Sequence, residues 1–289
     1  NYAPFQLTCS ENNHAYDILY TSSGAPLITN IEIEQIQVHA PEQVFFTLFD
    51  TCIMDCKFCP LPLQRRDEIS YDAEAMIKKI KEIGIDKVVS VGITSGIPSH
   101  SSSIKMAREM AKTVEALRKE FGTKIVIGVS VLIPGREILQ LLRDSGADEI
   151  RLNLEVYNEN LARVLTPHKR PGKVLESIAE AVNLFGRGKV SSNMILGIGE
   201  EDEDVIRGIE HLAQLGAVAT LYPFDFVPER DSILQLLTAG KVKRPPAERL
   251  LHLAYHHKDL LRKYDLDPRN LKTMCPACSA SFIMPFVDF

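Results

Sequence analysis

Six short apolar runs rich in β-branched residues alternate along this chain with segments of helical period. The runs are Val44–Phe49, Lys87–Val91, Lys124–Val131, Glu149–Leu154, Val190–Leu196 and Val218–Phe224. The helical segments fall near residues 72–83, 103–120, 135–145, 173–185 and 201–215, with another at 247–263. Gly84, Gly122, Gly146, Gly186 and Gly216 each stand between a helical segment and the next run. Glycine tolerates the left-handed backbone that ends helices, so these positions read as stop signals. Sustained strand–helix alternation requires parallel strands joined by crossover helices. Near-continuous apolar runs such as Lys124–Val131 suit strands covered by those helices. The pattern predicts an α/β fold, a partial TIM-type (βα)6 barrel, with a doubly wound sheet as the alternative.

Residues 1–43 lie outside the repeat. Tyr16–Tyr20 and Ile31–Val38 flank Ser22-Ser23-Gly24-Ala25-Pro26, which predicts a hairpin. The expected organisation is an N-terminal extension over 1–43, a core over 44–230, and a C-terminal helix with its extension over 231–289. Of the 289 residues, 45% are hydrophobic and 25% charged, as in globular domains, so a disordered chain is excluded. The net charge of -5 lacks the basic field that nucleic acid requires. No run reaches the ~18 apolar residues of a membrane span, and no signal peptide is visible. The expectation is a cytoplasmic protein with neither nucleic acid nor membrane as partner. The chain opens at Asn1 rather than Met, as expected if a short leading segment is missing.

The six cysteines carry the chemistry. Cys52, Cys56 and Cys59 form C-x3-C-x2-C immediately after the first core run, Cys275 and Cys278 form C-x2-C, and Cys9 lies near the N-terminus. Disulfide frameworks belong to small secreted domains, and cysteines two or three residues apart seldom bridge without strain. Metal or cluster binding is the better account. A four-iron cluster takes four thiolates and the triad offers three, which leaves one iron open to another ligand. Zinc completed by a distant His or Cys is the alternative.

The triad's position and spacing resemble the radical S-adenosylmethionine (SAM) superfamily, over about residues 44–230. The resemblance implies that Cys52, Cys56 and Cys59 ligate a [4Fe-4S] cluster whose open iron chelates SAM, with Phe58 against the adenine. Gly92-Ile-Thr94-Ser95-Gly96 then matches the family's glycine-rich turn at the SAM amino group. Arg151-Leu-Asn153-Leu-Glu155 ends the fourth run, and alternation puts its polar residues on one face. By resemblance Asn153 and Glu155 hold SAM's ribose and methionine portions, with Ser130 nearby. Asn193-Met-Ile195-Leu-Gly197-Ile-Gly199-Glu200 resembles the motif G-x-I-x-G-x-x-E, with Asn193 replacing its first glycine, and brings Ile195, Gly197 and Glu200 to the cofactor. Its acidic run also suits a helix N-terminus. His168-Lys169-Arg170 and His256-His257 read as solvated positions without a role.

Cys9, Cys275 and Cys278 supply three more thiolates, and Ser279 or Ser281 could complete a second, auxiliary [4Fe-4S] cluster. Such terminal cysteines resemble those of archaeal two-subunit lipoyl synthases. That resemblance implies a sulfurtransferase acting on an octanoyl-lysine of an acylated carrier protein, with a homologous second subunit and a reductase or ferredoxin as electron donor. Two other readings stay open: a radical SAM maturase of a hydrogenase-type cofactor, and a zinc-stabilised module without catalysis.

Overall fold

In the computed structural model of the chain, the described residues are 5–9, 15–20, 23–32, 42–63, 71–98, 101–132, 135–224, 227–278 and 283–289. The chain divides into two compact units, Asn1–Val38 and His39–Phe289. The first unit holds β1 (Phe5–Cys9), β2 (Ala15–Tyr20) and β3 (Pro26–Glu32) in one antiparallel sheet of order β1-β2-β3. Cys9 pairs with Tyr16 at one end of the ladder and Phe5 with Tyr20 at the other. The expected hairpin is thus the second half of a three-stranded sheet. Its return strand starts at Pro26 instead of Ile31, because Gly24 takes a left-handed φ of 66° and Ser23 Oγ accepts the Ala25 N–H at 3.2 Å, closing the turn early. Residues 33–38 of the expected strand lie outside the described residues.

The second unit carries six strands, β4 (Gln43–Thr47), β5 (Ser90–Thr94), β6 (Val126–Ser130), β7 (Glu149–Arg151), β8 (Val190–Leu196) and β9 (Val218–Pro223). All pair in parallel and in sequence order, as an unclosed barrel with β4 and β9 at its two ends. The crossovers are α1 (Ala73–Ile83), α2 (Ser103–Phe121), α3 (Arg136–Asp144), α4 (Glu159–Leu165), α5 (Pro171–Phe185) and α6 (Asp202–Leu215). After β9 come α7 (Pro228–Leu237), α8 (Ala247–Lys263) and the short α9 (Met274–Cys278). Val91, Ile93, Ile127, Val129 and Val190 are fully buried between sheet and helices, as continuous apolar strands require.

Three departures from the expected elements have local causes. The second strand starts at Ser90 and reaches Thr94, because Ile85–Lys87 is spent on a single 3-10 turn closed by the Val88 N–H on Ile85 O. The short α4 forms where Asn158 Oδ1 accepts the N–H groups of Asn160 and Leu161, an N-cap that outweighs a weak apolar period. The other unanticipated helix, α7, starts on Pro228, whose fixed φ suits a first helical turn.

Beyond α8 the chain returns beneath the barrel. Glu149, at the first residue of β7 and 1% exposed, accepts hydrogen bonds from the backbone N–H groups of Lys272 and Thr273, from Thr273 Oγ1 at 2.8 Å and from Lys189 Nζ at 3.0 Å. Gln43, at the first residue of β4, uses its amide both ways on Met274: Oε1 accepts the N–H and Nε2 donates to the carbonyl. That pair of hydrogen bonds offsets the cost of a left-handed φ of 61° at Met274. Gly128 makes room, since a Cβ there would lie 2.0 Å from Thr273 Oγ1. The C-terminal segment is therefore a plug in the N-terminal end of the barrel. Among the described residues, no helix is long and apolar enough to cross a membrane.

The helix α8 corrects one sequence expectation. His256 is exposed, but His257 shares the buried face with Leu253 and Leu261, at i±4, and is 1% exposed. Neither ring nitrogen has a hydrogen-bond partner among the described residues. Burial pushes its pKa down from 6.5 to about 4. The unfolded chain binds a proton below pH 6.5 that the folded chain refuses until about pH 4, so stability falls as pH drops through that window. The loss should reach about 3 kcal/mol, and His257→Leu should remove that part of the slope. Urea unfolding of both proteins at several pH values between 7 and 4 checks this; parallel curves would contradict it.

Candidate active site

The triad sits on the loop leaving the C-terminal end of β4, the end where barrel enzymes gather their reacting groups. Backbone bonds frame it on three sides. Gly96 N donates to Phe49 O at 2.8 Å, Ile53 N to Ile97 O at 2.9 Å, and Lys57 N to Leu165 O at 2.8 Å. The Cys59 N–H turns back onto Cys56 O at 3.0 Å, folding the C-x2-C half into one tight turn. Gly96 is where loop and strand touch: a Cβ there would stand 2.1 Å from Thr51 O. From α7, the buried Arg230 donates through Nε to Cys59 O at 3.1 Å and through Nη1 to Asp55 Oδ1 at 3.4 Å. Lys57 also pairs with Asp55, and its hydrogen bond is the main cause of a carboxyl held below its usual range. The loop is a rigid mount.

All three cysteines line one cavity of about 160 Å³. Thr94, Ser95 and Gly96 close one side of it, and Ser130, Asn153 and Glu155 another. An adjoining, mostly apolar cavity of about 340 Å³ shares Cys59, Asn153 and Glu155 and adds Phe58, Asn193 and Ile195, with Tyr222 and Phe224. Most of the residues expected at the cofactor thus converge. Three do not line either cavity. Gly92 lies within β5, where a Cβ would meet the Phe45 ring at 2.7 Å. Gly197 and Glu200 form a turn of their own: Glu200 Oε1 and Oε2 accept the N–H groups of Gly197 at 2.7 Å and Ile198 at 2.8 Å, with Arg249 as counter-ion at 2.9 Å. Their place is behind the site, fixing the end of β8 that presents Ile195.

Sequence reasoning missed the two buried cations that line the triad cavity, and both matter. Lys169, read as solvated, is buried and pairs with Glu155, Nζ to Oε1 at 2.9 Å. Burial works against its ammonium, but the Glu155 carboxylate, with Cys56 behind it, outweighs that and holds its pKa above the usual lysine value. β7 stops at Arg151, and Glu155, four residues on, has φ of 63°, where strand alternation no longer holds. It remains in the ladder, donating its N–H to Asn193 O at 2.7 Å and accepting from Ile195 N at 2.9 Å. Its second oxygen, Oε2, is buried with no partner among the described residues, which marks a place for a ligand donor. The second cation, Arg151, lines the triad cavity and is 8% exposed. Its Nε donates to Ser130 Oγ at 3.2 Å, and its Nη1 reaches Cys275 Sγ at 3.0 Å. Asn193 Nδ2 approaches the same sulfur at 3.6 Å.

The donor set suits an iron–sulfur cluster. Burial, reinforced by Glu155, pushes the Cys56 thiol up to about 12, and burial also raises Cys59. Such thiols become thiolates when a bound metal centre supplies positive charge. All three cysteines line one cavity, as a multi-iron centre held by three thiolates with one iron left open requires. At the other end, Cys275 and Cys278 stand one turn apart on α9. Cys9 ends β1 in the first unit, and Ser279 and Ser281 lie outside the described residues.

Comparison with known proteins agrees with this geometry. The family model for the radical SAM superfamily matches residues 46–212. A lipoyl synthase of Oceanobacillus iheyensis is 24% identical over 217 residues, covering 74% of this chain and 62% of its own. A biotin synthase of Persephonella marina is 27% identical, covering 54% of this chain and 45% of its own. A lipoyl synthase of Sulfolobus acidocaldarius is 26% identical and covers 73% of this chain and 71% of its own. The chain therefore spans less than two thirds of the first two relatives. Among solved structures, a methylornithine synthase superposes with TM-score 0.60 at 17% identity, covering 74% of this chain and 62% of that one. A radical SAM methyltransferase from Sphaerobacter thermophilus gives TM-score 0.57 at 16% identity, over 91% and 76%.

Two substitutions probe the mount. Gly96→Ala should force the Thr51 carbonyl away and sharply lower the iron retained after anaerobic reconstitution, while far-ultraviolet circular dichroism stays unchanged. Lys169→Met strands a buried carboxylate and should cost roughly 3–5 kcal/mol in urea unfolding; Lys169→Met with Glu155→Leu should recover most of that, which single-site additivity would not give.

Proposed function

Since this chain belongs to the radical SAM superfamily, we propose that it is a sulfur-inserting enzyme of the lipoyl synthase type, acting on an octanoyl-lysine displayed by a carrier protein. The observation that carries the reading is Arg151, which lines the triad cavity and at the same time touches Cys275. Cys275 thus lies one side chain away from the chamber of the triad, which suits transfer of sulfur to a carbon activated there. The lipoyl synthase relatives, at 24% and 26% identity, support the same class.

Cys52, Cys56 and Cys59 would hold the first [4Fe-4S] cluster, and Cys275 and Cys278 would supply thiolates to the second. When bound, the first cluster with SAM supplies a 5′-deoxyadenosyl radical for removing hydrogen from an unactivated carbon, and the second supplies sulfur. The chain's own residues arrange the chamber. Glu155, paired with and aimed by Lys169, and Asn153 offer oxygens to the hydroxyl and ammonium groups of SAM, with the unpartnered Oε2 as acceptor. Thr94 and Ser95 present polar groups on the facing wall. Phe58, Ile195, Tyr222 and Phe224 line the adjoining cavity with apolar surface that takes an acyl chain and keeps out water, which would quench so reactive a species. A reductase or ferredoxin would deliver the electron, a homologous subunit could carry out one of the two insertions, and the setting would be cytoplasmic.

The test is a single-turnover reaction of the anaerobically reconstituted protein with an octanoylated carrier domain, following 5′-deoxyadenosine and the mass of the carrier. Sulfur addition to the octanoyl chain is expected, with or without the second subunit supplied. Cys275→Ala and Cys278→Ala should keep 5′-deoxyadenosine formation to within a few-fold and lose sulfur transfer, whereas Cys52→Ala should lose both. Unimpaired sulfur transfer in the C-terminal variants would remove that pair from the chemistry, and 5′-deoxyadenosine without any carrier modification would overturn the substrate assignment.

A further inference from the structure

Arg151 is an anomaly in a barrel interior. A guanidinium is permanently charged, costs several kcal/mol to bury, and is ordinarily met by a carboxylate. Here it is 8% exposed, and among the described residues its partners are a serine hydroxyl and a thiol sulfur. Glu149, two residues earlier and on the same face of β7, would be a natural counter-ion. It is taken up by Lys189 and by the backbone of Lys272 and Thr273. Glu155, the other buried carboxylate of the chamber, is held by Lys169. Charge balance at Arg151 therefore falls to whatever occupies the Cys275 position.

The approach is specific to sulfur. Arg151 Nη1 stands 3.0 Å from Cys275 Sγ and Asn193 Nδ2 stands 3.6 Å from it, from the neighbouring strands β7 and β8. Each donor is itself fixed: Arg151 by Ser130 on β6, Asn193 through its Oδ1 by the hydroxyl of Thr220 on β9. Four strands thus cooperate to aim two N–H donors at one sulfur. The sulfur arrives from the opposite direction on a segment whose register is set by Gln43 and Glu149. A neutral thiol buried for packing needs none of this. An anionic, metal-bound thiolate does, because its negative charge in a low-dielectric interior must be matched.

We propose that Arg151 and Asn193 are positioning residues for the second cluster, forming a donor pair that holds the Cys275 sulfur as an iron-bound thiolate inside the barrel and raises that cluster's reduction potential. The inference rests on the reading of Cys275 as a cluster ligand and goes beyond it by assigning the groups that tune the site. A cation and hydrogen bonds at a ligating sulfur favour the more negative, reduced state, so removing them makes reduction harder.

The experiment uses the full chain with Cys52→Ala, Cys56→Ala and Cys59→Ala, in which iron after reconstitution reports the C-terminal site alone. Iron and sulfide content, the electron paramagnetic resonance spectrum of the reduced protein, and its midpoint potential are read in this background and with Arg151→Gln, Arg151→Lys or Asn193→Ala added. A midpoint displaced to more negative potential in Arg151→Gln, with altered g-values, partial restoration in Arg151→Lys and a smaller displacement of the same sign in Asn193→Ala, supports the proposal. Should Arg151→Gln fail to fold, Arg151→Lys and Asn193→Ala still decide it, since a purely structural role moves neither potential nor g-values. Wild-type potential and spectrum in the variants would overturn the donor-pair role while leaving the second cluster in place. Absence of iron from the triad-free background, with normal folding, would sink the C-terminal cluster itself, and the donor-pair role with it.

Discussion

A single carboxylate, Glu149, decides how the second unit closes. Buried at the start of β7, it is paired with Lys189, and its remaining acceptor positions are filled when the chain, more than a hundred residues later, returns to offer Lys272 and Thr273. The cost of leaving those buried positions empty makes the C-terminal plug part of the fold instead of an appendage. Because Glu149 and Arg151 share a strand face, the same geometry that grips the plug delivers Cys275 to the guanidinium. The Gln43 clasp on Met274 and the clearance at Gly128 are further conditions on that one return.

The two cysteine groups are mounted by different physics. The triad hangs on a loop bonded edgewise to the residues following β5 and tied down by Arg230, so its shape depends on the sheet. The C-terminal pair rides on a five-residue helix whose position depends on side-chain hydrogen bonds. Between them lies a chamber with two buried cations serving separate purposes: Lys169 neutralises Glu155 near the triad, and Arg151 faces sulfur. Placing like charges on separate partners keeps each buried ion compensated, which the low-dielectric interior requires.

Legibility from sequence followed the range of the interaction. Hydrophobic period and helix-ending glycines are local, and the six parallel strands were readable from them, as was the triad from its spacing. Errors appeared where a local device overrode the period: the 3-10 turn at Ile85–Lys87, the Asn158 cap and the left-handed Glu155. What could not be read was partnership at a distance. Lys169 meets Glu155 only because α4 folds back, and nothing in His168-Lys169-Arg170 distinguishes its middle residue from a solvated one. Arg151 and Cys275 are 124 positions apart. His257 differs from its exposed neighbour His256 by one helical step, a distinction that the i, i+4 relation to Leu253 and Leu261 would have drawn. Glu200 was found through a motif, but its work on the backbone of Gly197 and Ile198 is visible only in three dimensions.

Docking one thiol pair through a buried carboxylate ties its order to that of the sheet. Releasing the plug would uncover Leu271 and Met274 and take from Glu149 the N–H groups of Lys272 and Thr273. A segment whose opening costs that much exchanges only along with large parts of the structure. Whatever Cys275 and Cys278 bind is therefore seated as the floor of the barrel closes, and is held for as long as the strands above it stay paired.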